Sequence, residues 1–191
     1  MTAATVTAPP SLIRWHYWWY VAAATAVMIA AIVSESRWFL NFVHVLSGLM
    51  WTGIDIFMGF VLGPVLRQVN VSVRREVAIR LTPRTLFLMP TLAFITGTTG
   101  WYLTVQLGFL ALPWPQFGWI AAALVLITLL TIQGFAVLLP TNVRVCLELQ
   151  EPQPDMAKIS RLMRSYFILT ASQGVMQVIM ILIMARIVSG V

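Results

Sequence analysis

The sequence predicts an all-α fold, a polytopic membrane helix bundle that makes one integral membrane domain of residues 1–191. Three observations carry that prediction. First, 60% of the 191 residues are hydrophobic and only 9% are charged, with a mean hydropathy of +0.88. Six acidic and twelve basic side chains cannot cover a soluble domain of this length, so the surplus apolar area must face lipid. Second, the apolar residues gather into five stretches, each near the roughly 20 residues that a helix needs to cross the hydrocarbon core. Third, the basic residues punctuate those stretches rather than line one solvated face. The pI near 10.5 is therefore a topology signal, and nucleic acid is not the expected partner.

The first span covers 17–33 and has "WHYWWY" at its start. Trp, Tyr and His rings settle at the headgroup level, where an apolar body and a polar tip are both satisfied, and His16 belongs to that belt. A cleaved signal peptide fits less well, since Arg14 is the only early charge and no small-residue cleavage site precedes "SESR". The remaining spans are 38–62, 86–110, 118–139 and 166–187. Short turns, "SESR" and the proline-bearing "PWPQ", join the spans on one side. Longer loops join them on the other, and "PDMAKISRLMRS" offers Asp155 as an N-cap ahead of basic residues suited to a membrane surface.

Those longer loops collect the arginines. Arg67, Arg74, Arg75, Arg80 and Arg84 lie between spans two and three, and Arg144, Lys158, Arg161 and Arg164 between spans four and five. With Arg14 they put ten of the twelve basic residues on one side, leaving Arg37 and Arg186 on the other. Short cytoplasmic loops are the ones enriched in Lys and Arg, so the N-terminus is expected inside and the C-terminus outside, in an inner cell membrane.

Familiar soluble chemistries find no foothold. Cys146 stands alone, so no intrachain disulfide can form, and neither CxxC nor CxxCH occurs. GxGxxG, a GK[ST] phosphate loop, HExxH and GxSxG are also missing. Function is then to be sought in the polar content of the spans, where ionisable groups are costly.

Span two holds most of it, in "HVLSGLMWTGID". At about 100° per residue, the steps from His44 to Asp55 make three turns plus about 20°, so both side chains leave the same face. Ser47, Gly48, Trp51, Thr52 and Gly59 fall on or beside that stripe, and such a face belongs inside a bundle. Gly59 and Gly63 form a GxxxG pair that permits close packing near the inner end. By depth, Gln133 and Gln173 lie level with Asp55, and Thr91 and Thr96 bracket it. One intramembrane polar cluster around Asp55 is expected, serving as a proton relay, a polar substrate contact or interhelical glue.

His44, nearer the outer side, offers an imidazole suited to haem iron, copper or proton transfer, or to a hydrogen bond between helices. Met176, Met180 and Met184 form a stripe on span five, of which Met180 and Met184 approach the depth of His44. A His/Met haem or a soft Cu(I) site is one reading of that stripe; methionine as filler of apolar gaps is the other.

The stretch "FLNFVHVLSGLMWTGIDIFMGFVLGPVLRQ" contains an H-x3-G-x2-W-x-G core at His44, Gly48, Trp51 and Gly53. It resembles the membrane domain of bacterial urate hydroxylases and is similar, more loosely, to copper-resistance protein D and the HemJ-type protoporphyrinogen oxidases. "VRREVAIRLTPRTLFLMPTLAFITGTTGWYL" continues the likeness across span three. The resemblance implies a small redox membrane protein with b-type haem, and it places the motif histidine on His44, with Gly48 and Trp51 beside the cofactor. Spans three to five contain neither histidine nor lysine, which leaves the second axial ligand unassigned.

Three readings of function follow. The first is a haem-b membrane redox component exchanging electrons with quinone or a partner subunit, with His44 as ligand and Asp55 handling protons. The second is a copper uptake or transfer protein with His44, Met180 and Met184 as ligands. The third is a structural or anchoring subunit, packed against larger membrane partners or further copies of itself. Whether the protein is an enzyme stays open at this point.

Overall fold

The structure is a computed structural model and describes residues 15–189. Arg14, one of the topology signals, lies outside the described residues. Five helices are long and apolar enough to cross a membrane: α1 (Trp15–Val33), α2 (Arg37–Gln68), α3 (Val71–Gln106), α4 (Phe117–Gln150) and α5 (Met156–Val188). No strand occurs among the described residues. In no helix does protein bury more than 28% of the most apolar window. The remainder is apolar surface that a bilayer covers.

Helices α2 to α5 form an antiparallel four-helix ring in which each helix packs on its sequence neighbour and α5 closes on α2. Helix α1 lies outside the ring against α3 and α2, with only Met28 and Ala31 buried. Trp15, Trp18, Trp19 and Tyr20 are exposed at its start, as an aromatic belt requires, and Trp18 is seated edge-on against Phe87 of α3 at 5.9 Å. His16 is exposed within the same belt. A second set of exposed rings, Trp38, Trp101, Trp114 and Trp119, marks the opposite end, where the Arg186 guanidinium lies 5.8 Å from the Trp119 ring centre.

The ring helices are longer than the hydropathy pattern suggests. Helix α3 has 36 residues, about 54 Å at 1.5 Å per residue, against about 30 Å of hydrocarbon. The expected long inner loops are mostly helix: only Val69 and Asn70 join α2 to α3, and residues 151–155 join α4 to α5. The basic residues thus ride on helical extensions, which bury their own apolar cluster of Leu66, Ala78, Val145, Leu149, Ile159 and Met163. At the other side α3 ends at Gln106, short of the expected 110, because Gly108 adopts φ +69° and starts a short 3-10 turn.

The helix ends that carry the arginines are capped by side chains. Asp155 is the N-cap of α5, accepting from the backbone N–H groups of Ala157 (2.9 Å) and Lys158 (3.0 Å). Arg74 closes the other end: Nε donates to the Leu66 carbonyl at 3.0 Å and Nη2 to the Val69 carbonyl at 3.3 Å, while Nη1 reaches Ser160 of α5. It satisfies carbonyls that the last turn of α2 leaves unpaired.

Two helices carry a widened, π-helical turn, Phe57–Leu62 in α2 and Gln133–Leu138 in α4. Each stands immediately ahead of a proline, Pro64 or Pro140, at the second position of the following α-segment. Proline lacks an N–H and crowds the carbonyl four residues back, and a turn that bonds five residues apart absorbs the mismatch without breaking the helix.

The expected close packing at Gly59 and Gly63 occurs, and its partner is α5. A Cβ on Gly59 would lie 2.5 Å from the Ala171 Cα, and one on Gly63 would lie 2.9 Å from the Phe167 Cβ. From the other side, a Cβ on Gly174 would meet Ile56 Cγ1 at 3.0 Å. Without a hydrophobic drive between helices in lipid, such backbone proximity supplies the packing energy.

Gly59→Ala is expected to lower thermal stability in detergent, by about 1–3 kcal/mol for an overpacked contact. Gly53→Ala, whose Cβ would meet nothing within 4 Å, serves as the control and should leave stability level or raised. At the cap, hydrogen bonds from the Lys158 and Ala157 N–H groups hold the Asp155 carboxyl below the usual carboxylate range. The stabilisation is therefore complete above about pH 4 and lost as pH falls through the lowered value of the folded protein. A melting-temperature series against pH should show a steeper acid decline for the parent than for Asp155→Ala.

Candidate functional site

The stripe from His44 to Asp55 faces into the bundle, but it meets two different helices and makes two separate stations. Eleven residues at 1.5 Å each put them about 16 Å apart along α2.

Asp55 is 1% exposed. Its Oδ2 accepts a hydrogen bond from Gln177 Nε2 of α5 at 3.0 Å, where the glycine seam holds the two helices close. Beside it lies a cavity of about 30 Å³, walled by Trp51, Asp55, Tyr166 and Gln173 and, across the ring, by Thr85 and Asn142. Asn142 Nδ2 donates to Thr85 Oγ1 at 3.2 Å, tying α4 to α3 at this level. The space is large enough for water, and its wall is partly polar, the two conditions for holding one. Gln173 Oε1, Gln177 Oε1 and Thr170 Oγ1 are buried acceptors without a protein partner. They lie on one stripe of α5, and Gln173, on the cavity wall, can accept from a water held there. No Lys, Arg or His lies on the cavity wall to neutralise a carboxylate.

Of the expected cluster around Asp55, Gln173 takes its place on this wall. The others are placed elsewhere. Gln133 donates to the Leu169 carbonyl at 2.9 Å and Ser172 Oγ at 2.8 Å, on the rim of the α4–α5 contact. Thr91 turns back onto the Phe87 carbonyl of its own helix at 2.7 Å. Thr96 belongs to His44. Four members were not anticipated. Gln177 lies about one turn beyond Gln173, within the reach of a glutamine side chain. Asn142, Tyr166 and Thr85 fell at or beyond the ends of spans drawn too short.

At the second station the half-buried His44 ring packs on α3. Its Nδ1 lies 3.0 Å from the Thr96 carbonyl oxygen and 3.3 Å from Thr99 Oγ1. A carbonyl only accepts, so Nδ1 carries the proton and Nε2 the lone pair in the neutral ring. This is the arrangement that orients a ligating imidazole, and equally one that locks two helices together. Gly100 makes room for the ring, since a Cβ there would lie 2.8 Å from His44 Cε1. Thr96 Oγ1 also donates to Ser47 Oγ at 2.9 Å. Gly48 faces Thr96 Cγ2 across the same contact.

Trp51 stands between the stations along α2. It is 3% exposed, forms an apolar cluster with Leu92 and Leu130, and also walls the Asp55 cavity. Met176 and Met180 pack against that cluster, and Met184 lies half-buried one turn further out. Among the described residues no group of three or more His, Cys, Asp or Glu converges. His44 lines neither the Asp55 cavity nor the larger groove between the inner ends of α2 and α5.

Asp55→Asn retains a carbonyl acceptor for Gln177 and should preserve the fold. Asp55→Leu leaves the Gln177 amide buried without its partner and should cost about 1–3 kcal/mol. Unfolding of both variants in detergent checks this; equal stability of the two would show that the Gln177 contact contributes nothing.

A scan of protein-family models, a search of curated proteins and a search of solved structures each return no match to the chain. The likeness to the urate hydroxylase membrane domain therefore rests on the His44, Gly48, Trp51 and Gly53 motif and its surroundings alone.

Proposed function

We propose that the protein is a proton-coupled redox component of an inner cell membrane, with its N-terminus on the cytoplasmic side. In this reading Asp55 exchanges a proton with water in its cavity, and His44 would hold b-type haem through Nε2. Haem bound there would supply one-electron transfer, to or from quinone or a partner subunit.

One observation carries the proposal: a carboxylic acid deep in an apolar bundle faces a water-sized, partly polar cavity, with an amide donor and no cation. Glue between helices needs a hydrogen-bond partner but no cavity. An ionisable group that lines a cavity inside a membrane is the usual mark of a proton pathway. The His44 tautomer adds support, because the bond from Nδ1 to the Thr96 carbonyl leaves the ligating nitrogen free.

A second reading, a structural or anchoring subunit, also has a specific observation in its favour. His44 already bonds α3 through Nδ1 and packs on Gly100, which is sufficient reason for a histidine at a helix contact.

An oxidised-minus-reduced visible spectrum of the gently purified protein separates the two. The redox reading expects a haem band that His44→Ala abolishes and Asp55→Asn retains, with slower reduction by a quinol in Asp55→Asn. A featureless spectrum of the parent, together with subunits that co-purify with it, would sink the redox reading in favour of the structural one.

A further inference from the structure

On the face opposite the Asp55 cavity, the inner halves of α2 and α5 enclose a groove of about 800 Å³. Its membrane end is apolar: Phe60 and Pro64 line one side, Phe167 and Ile168 the other, and the glycine seam forms the floor. Its other end is bounded by Arg67, Arg161 and Arg164, all exposed. The ion pairs among the described residues are Arg80 with Glu76 and Lys158 with Glu148, so these three guanidinium groups have no carboxylate at ion-pair distance. Arg74, also on the wall, is committed to the carbonyls that end α2.

The depth of the arginines follows from helix geometry. Arg67 lies thirty residues along α2 from Arg37, about 45 Å, which matches a bilayer measured across both headgroup layers. With Arg37 at one polar surface, Arg67 stands at the phosphate level of the other. Arg161 and Arg164 stand beside it on α5, one turn apart. Gly59, two turns back along α2, lies about 12 Å deeper, at the level of acyl chains.

We propose that this groove is a binding site for one anionic phospholipid of the inner leaflet. The phosphate is held by Arg67, Arg161 and Arg164, and an acyl chain lies along the α2–α5 seam between Phe60 and Ile168. Charge complementarity selects the anion, and the continuous apolar wall selects a lipid over a free phosphate. A basic pocket between membrane helices at the cytoplasmic end is a recurrent form of lipid headgroup site.

Titration of the purified full chain with phosphatidylglycerol, read by native mass spectrometry and by thermal shift, tests the proposal, with phosphatidylcholine as the neutral lipid. Each arginine near an anionic membrane surface changes affinity about fivefold, so Arg67→Gln/Arg161→Gln/Arg164→Gln should weaken phosphatidylglycerol binding by roughly a hundredfold. The charge-matched control Arg75→Gln/Arg84→Gln/Arg144→Gln should keep most of it. Ile168→Trp, which fills the apolar end and keeps every charge, should also reduce binding. Equal losses in the two triple variants would mean general charge attraction and overturn the site. Equal binding of phosphatidylcholine, displacement by millimolar inorganic phosphate, or an Ile168→Trp variant that binds like the parent would each overturn it as well.

Discussion

The contact between Gly59 and the backbone of Ala171 sets the spacing on which the rest of the bundle depends. With no side chain between them, α2 and α5 approach so closely that even a methyl group would collide. That approach carries Asp55 to within 3.0 Å of Gln177 on one side of the seam. On the other side it leaves the groove whose floor is the seam itself. In a solvent as apolar as the helices, close van der Waals contact and buried hydrogen bonds must do what the hydrophobic effect does in water. The acid at Asp55 and the glycine seam are therefore neighbouring parts of one contact, the first polar and the second steric.

The π-helical turns extend this logic. They begin just after Asp55 in α2 and include Gly134 and Phe135, which wall its cavity, in α4. Each places irregular backbone near the buried acid, with one side against protein, at Met58, Gly59 and Leu138, and the other side exposed, at Phe57, Phe60, Phe135 and Val137. Each also rotates the residues beyond it relative to a straight helix. The arginine-bearing halves of α2 and α4 consequently present different faces from those that a continuous helical wheel would assign.

How much of this was legible in the sequence follows from what hydropathy and periodicity measure. The five spans, the Asp155 cap and the tight Gly59–Gly63 stripe are local properties, and they are found where composition and spacing put them. The span ends were not legible, because a window that counts apolar residues stops at the first arginines, whereas helices α2 to α5 continue as an amphipathic extension with its own core. Depth along a helix could be read and rotation about it could not. Gln173 thus shares the wall of the Asp55 cavity, while Gln133, at the same level, turns to the Leu169 carbonyl instead. His44 and Asp55 share a face as the arithmetic required, but the identity of the helix that each one meets depends on tertiary packing.

The hydrogen bond between Asp55 and Gln177 joins residues 122 positions apart. At a synthesis rate of ~5–20 residues per second, about 6 to 24 seconds separate the emergence of the acid from that of its partner. Throughout that interval α2 carries a carboxyl group that lipid cannot satisfy. Its final seating in the bilayer must wait for the last helix of the bundle. Biogenesis is therefore ordered from both ends of the chain: α2 and α3, joined by two residues, can enter as a hairpin, but only the arrival of α5 fixes them in place.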